Sequence, residues 1–396
     1  MTRTIAIILA VVAIDMMGIG LVMPVLPALL RHLGHTSHIA VVYGSLMAAY
    51  AAMQFLFSPF LGALSDRFGR RPVLLASLAG AALDYLVTAC APTLGILAAG
   101  RILAGITGAN IAVATSAIAD VTSAQGRAKR FGQMSAVMGI GLIAGPMIGG
   151  LLGGVSLRAP YLAAAGLNAV NAILVLVLLP ETRTGPAARF TFSLRALLPS
   201  FDILASHPRA PRLVGIYAVI VLAAQCPMSL WILYGQNRYR WDETTVGLSL
   251  ALYGLLFAIS QWFLVGPLIR RFGERGAVIL GTLADFTAYA VLGLAAQGWI
   301  AFALMPLWGI AGIAQPALQA MISRDVPADR QGRLQGTLVS LSSLIGIPGP
   351  LLVTTLYAHS PEAWPGLVWL LAACAYLAVT PLLLAGSSRP VMLRAR

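Results

Sequence analysis

The sequence predicts an all-α membrane protein, with twelve transmembrane helices in two pseudo-symmetric six-helix halves. Three observations carry this expectation. The 396 residues are 59% hydrophobic and only 10% charged, too apolar for an ordinary soluble domain. Apolar runs of about 20 residues, each long enough to cross ~30 Å of hydrocarbon, follow one another along the chain. The glycine-bounded, arginine-rich phrase from Gly62 to Arg71 also returns at Gly266 to Arg275, so one half is written twice. Gly62, Leu64, Arg67, Phe68, Gly69 and Arg71 recur as Gly266, Leu268, Arg271, Phe272, Gly273 and Arg275. At the two variable charged positions the signs are exchanged, Asp66 answering to Arg270 and Arg70 to Glu274. Asp66 and Arg70 stand four apart, close enough to pair if the chain turns helically there.

The first half, 1–180, holds apolar runs at 4–30, 39–61, 73–91, 94–119, 131–154 and 158–180. Asp15, followed by Gly18-Ile19-Gly20 and Pro24, predicts a bend in the first. The fifth is crowded by Gly139, Gly141, Gly145-Pro146 and Gly149-Gly150. Glycines four apart let helices approach closely, and Pro146 opens the backbone ladder, so close packing and a hinge or seal are both open readings. The segment 181–210 is the longest polar gap, rich in Pro, Arg and Ser, with an amphipathic middle from Phe190 to Leu204. It is expected to be a cytoplasmic linker of the kind that can lie on a membrane surface. The second half, 211–396, holds runs at 211–235, 244–266, 276–295, 298–322, 334–357 and 364–386. Asp120-Val121 with Gln125-Gly126-Arg127 matches Asp325-Val326 with Gln331-Gly332-Arg333, and Gly145-Pro146 matches Gly349-Pro350. Two such repeats in one orientation imply a pseudo-twofold along the membrane normal and a central cavity between the halves.

If the runs alternate in direction, all of the 26 basic residues except Arg31, Arg101, Arg158, Arg238 and Arg240 lie on the side of the N-terminus. By the positive-inside rule both termini are expected in the cytoplasm. The same distribution accounts for the net charge of +13 without nucleic acid, because the basic residues sit in the gaps between spans. The stretch Thr4 to Leu30 runs on as a full span, not as a cleavable signal. Cys90, Cys226 and Cys374 are scattered in apolar runs and are expected to be free thiols.

Enzymatic chemistry has no foothold. Lys129 is the only lysine, and no Gly-Lys-Ser/Thr sequence cradles a phosphate, so ATP hydrolysis by this chain is excluded. No His-Glu-x-x-His or nucleophile-elbow motif occurs either. His32, His35 and His38 lie in a short loop with no acid or cysteine nearby, and no metal site is expected there.

The costly residues are the charges inside spans: Asp15, Asp84, Arg101 and Asp285. At ~1.5 Å rise per residue, the three acids fall about 14–18 Å from the cytoplasmic edge. Arg101 comes from the other side to a comparable depth, so an Asp84–Arg101 ion pair is expected, whether purely structural or part of transport. Asp285 has no basic residue on an adjacent span, which favours a proton-carrying role. Asp15 stays open between a hydrogen-bonded structural acid and a cavity acid. Gln54 and Gln261 stay open between lining a vestibule and interhelix contact.

These residues resemble the major facilitator superfamily, and within it the proton-coupled drug antiporters. Gly62 to Arg71 is similar to the superfamily's loop signature, and Gly141 to Gly150 to its antiporter motif. Asp15 with Gly18 to Pro27, Ser65 to Leu75, Gly105-Ile106-Thr107-Gly108-Ala109, and Pro316 to Met321 resemble the bacterial tetracycline efflux proteins. The resemblance implies exchange of a drug–divalent-cation chelate for a proton across the inner (cytoplasmic) membrane of a bacterium. It implies no permanently bound cofactor, with the proton as coupling ion. Partners would be the small-molecule drug and the lipid bilayer. Asp66 and Arg70 would belong to a cytoplasmic gate. Asp15, Asp84, Arg101 and Asp285 would be transport residues, with Asp285 central to proton coupling. Gln54 and Gln261 would line the pathway, and Gly141, Gly145, Pro146 and Gly149 would form a hinge. Two pathway positions depart from the family: Phe257 stands where a His is usual, and Asn110-Ile111 where Thr-Gly is usual.

The expectation is therefore a proton-driven exporter of tetracycline-like drugs. The alternatives are an exporter of other amphipathic compounds and, against the Gly141–Gly150 pattern, a nutrient symporter. A membrane sensor, the non-transport alternative, needs none of the three buried acids.

Overall fold

The computed structural model describes residues 3–34, 38–108, 110–123, 126–183, 210–324, 331–361 and 364–384. Residues 184–209 of the expected linker 181–210, His35, and Asp325-Val326 of the repeat lie outside them. Eleven described helical stretches are long and apolar enough to cross a membrane, and Leu367–Leu383 is a shorter apolar one, so the expected spans are accounted for.

In chain order, the first span is α1 (Arg3–Val22) and α2 (Leu26–Leu33). It breaks at Met23-Pro24-Val25, where the sequence predicts a bend, because Pro24 lacks the N–H that would continue the ladder. Next come α3 (Ile39–Phe68) and α4 (Arg70–Cys90). The fourth span is split into α5 (Leu94–Thr107) and α6 (Asn110–Asp120), and α7 (Arg127–Val155) and α8 (Ala159–Leu178) complete the half. The second half opens with α9 (Ala210–Arg238), α10 (Glu243–Phe263) and α11 (Val265–Leu294). Its fourth span is split like that of the first half, into α12 (Gly298–Ala311) and α13 (Ala314–Arg324). The eleventh, α14 (Gln331–Gly346) and α15 (Pro348–Ala358), breaks ahead of Pro348, and α16 (Leu367–Leu384) closes the fold.

Large apolar side chains cover the outside: Val155 is 86% exposed, Leu294 74% and Trp262 78%. Such a surface is intolerable in water and ordinary against acyl chains. The helices form two compact units. The first unit takes 1–198 together with 229–255 and 346–358. Inside it Arg31 donates to Asn237 Oδ1 at 3.0 Å and also to Gln236, and Gly44 lies against Pro350 and Thr354. The second unit takes 199–228, 256–345 and 359–396. Its centre is aromatic: the ring of Tyr289 stands edge-on to Tyr376 at 5.3 Å, to Trp369 at 5.5 Å and to Trp308 at 6.1 Å.

Candidate functional site

The repeated loop is the part of the site that the sequence makes plainest. α3 ends at Phe68 and α4 starts at Arg70, with Gly69 between them at φ 104° and ψ 160°. Gly273, at the equivalent place in α11, has φ 69°, and these are the two positive-φ glycines among the described residues. With ψ of 160° and 169°, both lie in a region that only glycine adopts readily, and a side chain at either would strain the turn by about 1–3 kcal/mol. Asp66 and Arg70 do pair, at 2.6 Å, but across this break and not along a continuous helical turn. Arg70 also meets Asp120 Oδ2 at 2.8 Å and donates to Ser65 Oγ at 2.7 Å. Arg70 is thus held by two acids, one in its own loop and one at the end of α6.

The second half repeats this with the charges reversed. Glu274, which answers to Arg70, pairs with Arg324 at the end of α13. Arg71 donates to the Leu176 carbonyl in α8, and Arg275 to the Leu383 carbonyl in α16, so each loop is tied to the last span of its own half. The sequence sets Asp120 opposite Asp325, which lies outside the described residues; the described partner of Glu274 is its neighbour Arg324.

Glu181 is a functional candidate that the sequence reading missed. Its carboxylate accepts from the backbone N–H groups of Arg70 at 2.8 Å, Arg71 at 3.1 Å, and Thr182 and Arg183 at 3.0 Å. Partial burial pushes its pKa up, but these four donors outweigh burial and hold it below the ordinary carboxylate value. The carboxylate caps the N-terminus of α4, where backbone donors have no helical partner. The available signal was an acid at the end of the sixth run, beside an arginine-rich gap.

Inside the first half, Asp84 on α4 and Arg101 on α5 form a buried ion pair, 1% and 7% exposed. Thr88 Oγ1 approaches the same carboxylate at 3.4 Å, and the guanidinium lies 5.8 Å from the centre of the Tyr85 ring. Gly100 makes the approach possible: a Cβ there would stand 2.9 Å from Asp84 Oδ1. Asp15 is separate from this pair. It is buried in α1 and accepts from Asn110 Nδ2 at 2.9 Å, the first residue of α6. The break in the fourth span delivers Asn110 to it.

In the second half Asp285 on α11 lies beside Tyr376 of α16. Among the described residues it takes part in no ion pair. Gln54 and Gln261 each donate to a backbone carbonyl within their own half, at Gly108 (3.1 Å) and Gly312 (3.0 Å). The ring of Phe257 also lies against Gly312.

The glycine-rich fifth span is one unbroken helix, α7, with Pro146 inside it. A Cβ at Gly141 would stand 2.7 Å from Met16 Cβ, and one at Gly145 2.7 Å from both Gly20 Cα and the Met17 carbonyl oxygen. Gly149 meets the Leu21 carbonyl in the same way. These three glycines form a single seam along α1, while Gly150 faces Gly247 on α10.

The family model described as the Major Facilitator Superfamily matches residues 8–350 and 213–394. The chain is 51% identical over 383 residues to the tetracycline resistance protein, class C, of Escherichia coli, covering 96% of each. It is 47% identical to the class G tetracycline resistance protein of Vibrio anguillarum, covering 95% of each. Among solved structures, the nucleoside transporter NupG superposes with a TM-score of 0.77 at 12% identity, covering 98% of this chain and 100% of the other. This likeness shows the fold alone. The repeated loop, the paired halves and the full-length match agree that this multi-pass membrane protein belongs to the Major Facilitator Superfamily, among the relatives of its tetracycline resistance proteins.

Proposed function

We propose that this protein exports tetracycline-like drugs from the bacterial cytoplasm, across the inner membrane, in exchange for protons. The observation that carries the reading is 51% identity to a tetracycline resistance protein over 96% of both chains. It is a transporter and not an enzyme. The drug travels as a chelate with a divalent cation, which is cargo and not a resident metal. Both termini face the cytoplasm, in line with the basic residues gathered on that side. The halves 1–180 and 211–396 rock about the cavity between them, joined by 181–210.

The roles follow from chemistry. A carboxylate in a span must be paired, hydrogen-bonded or wetted, and it is useful for transport when one ligand state removes its partner. Asp285 has no cation as partner among the described residues, so it can load a proton from outside and release it when drug binds from the cytoplasm. Asp84 with Arg101, and Asp15 with Asn110, are the buried polar pairs of the first half that act in transport. Gln54, Gln261 and Phe257 stand along the pathway. Asp66 and Arg70 work the cytoplasmic gate, and Gly141, Gly145, Pro146 and Gly149 allow α7 and α1 to slide or bend as it opens.

The test uses everted membrane vesicles, in which uphill tetracycline uptake and drug-induced proton movement are measured together. Asp285→Asn keeps size and removes the titrating group. It should abolish both while leaving downhill drug exchange. Uphill, proton-coupled uptake by Asp285→Asn would refute the coupling assignment and move it to Asp15 or Asp84. Single cysteines at Ser193 and Ser37, in a background lacking the three native ones, test orientation. Impermeant reagent should label Ser37→Cys in intact cells and spare Ser193→Cys, and the reverse pattern overturns the topology.

A further inference from the structure

In both halves the fourth span is broken, and in both halves the break is held by an aromatic–glutamine pair one turn apart on the second span. Gln54 Nε2 donates to the Gly108 carbonyl at 3.1 Å and reaches the Tyr50 hydroxyl at 3.3 Å. Gln261 Nε2 donates to the Gly312 carbonyl at 3.0 Å. Phe257, one turn earlier, lies so close to the Gly312 backbone that a methyl group there would overlap its ring. Tyr50 and Phe257 therefore stand at matching places, as do the two glutamines and the two glycines.

The breaks need these donors. Gly108 ends α5 with ψ 51°, which turns its carbonyl off the helix axis. In a continuous helix the Gly312 carbonyl would accept from residue 316, but that residue is Pro316 and has no N–H. A backbone acceptor left without a donor at membrane depth costs several kcal/mol, and a side-chain amide from a neighbouring helix removes that cost. The match is hidden in the sequence, because Gln261 lies closer to Gly266 than Gln54 does to Gly62. The second half is interrupted at Leu264, between α10 and α11, where α3 runs on unbroken.

Each break is succeeded by a short helix whose far end makes an ion pair. α6 and α13 are both 11 residues long, ~16 Å of rigid helix. α6 starts at Asn110, which holds Asp15, and ends at Asp120, which holds Arg70 of the loop. α13 ends at Arg324, which holds Glu274 of the matching loop. A change of angle at Gly108 or Gly312 is thus carried along a short rigid rod to a loop ion pair.

We propose that Tyr50–Gln54 and Phe257–Gln261 are matched clamps that set the angles of α6 and α13. They are positioning residues of the transport cycle and not drug ligands. Phe257 then acts through its bulk, and a titratable ring is not required at that position. This inference rests on the export reading for its transport test, but its structural test does not.

Three variants decide it, each in everted vesicles with tetracycline and as purified protein without drug. Gln261→Met keeps the length and loses the donor. It should lower the maximal rate about three- to ten-fold, the worth of one hydrogen bond, with the half-saturating concentration within about two-fold of wild type. Amide hydrogen exchange over residues 309–320 should be faster in the purified variant. Gly312→Ala should lose transport, and Phe257→Leu/Gly312→Ala should regain part of it, because trimming the ring makes room for the methyl while an apolar side chain still backs the break. An unchanged rate with a half-saturating concentration raised about ten-fold or more would mark Gln261 as a drug ligand and overturn the clamp. So would unchanged exchange at 309–320, or no rescue by the double variant. If wild-type vesicles take up no tetracycline, the export reading fails, and the exchange measurement still decides the clamp.

Discussion

Alanine at Gly139 and alanine at Gly145 are the same chemical change on the same helix, and the structure predicts opposite outcomes. Nothing lies within 4 Å of a Cβ built at Gly139, whereas at Gly145 it would stand 2.7 Å from Gly20 Cα and from the Met17 carbonyl oxygen. Ordinary contact begins near 3.4 Å, and both blocking atoms are backbone, so no rotamer can relieve the overlap. α1 and α7 must part by about 0.7 Å along a seam that Gly141 and Gly149 share. Replacing glycine by alanine in a helix gains about 0.5–1 kcal/mol, and overpacking a seam of this kind costs ~2–3 kcal/mol. Gly139→Ala should therefore be stabilising by up to about 1 kcal/mol, and Gly145→Ala destabilising by about 1–2 kcal/mol. The gap is read from SDS-titrated unfolding of purified protein followed by tryptophan fluorescence, with tetracycline uptake measured on the same preparations. A gap under about 0.5 kcal/mol would refute the packing argument. Loss of uptake in both variants with stability unchanged would instead support a flexible hinge, since flexibility is lost wherever glycine goes.

The buried pair gives a second expectation: Arg101→Met and Asp84→Leu should each destabilise by about 3–5 kcal/mol, and together by much less than the sum. Additive losses in the same unfolding assay would show that the charges do not need each other. The loop gives a third. Exchanging the charges of the second-half pair, Glu274→Arg with Arg324→Glu, should retain more uptake than either single change, and equal loss in all three variants would show that the loop does not depend on the pair. A fourth concerns Glu181, whose folded pKa lies below the ordinary 4.5. Stability from a depressed acid is present above the unfolded pKa and is lost as pH falls through the folded one. Glu181→Gln should thus speed amide exchange at Arg70 and Arg71 near neutral pH. The difference from wild type should shrink on acidification below the ordinary carboxylate range, and a difference independent of pH would contradict the cap.

What was legible in the sequence was whatever the membrane prices steeply. Twelve spans show because a bilayer demands about 20 apolar residues each time. Asp84 and Arg101 could be paired from depth alone, because two charges at one level in hydrocarbon have few other ways to exist. The break inside the fourth span was not legible. Gly108 and Gly312 interrupt a helix without interrupting its apolar run, so hydropathy does not register them. Their cost is met by Gln54 and Gln261, on spans remote in sequence, and no local pattern links donor to acceptor. Glu181 stayed hidden for the same reason, since its four donors are backbone groups and leave no trace in residue identity. Matching letters set Asp120 against Asp325, which lies outside the described residues, and the described group that meets Glu274 is Arg324. A reversed sign at one position is compatible with the same loop geometry only if its partner reverses too. Arg70 with Asp120 and Glu274 with Arg324 satisfy that condition. The two halves therefore agree in their ion pairs at the places where their letters disagree, and a half-to-half alignment of this chain is better scored on partners than on residues.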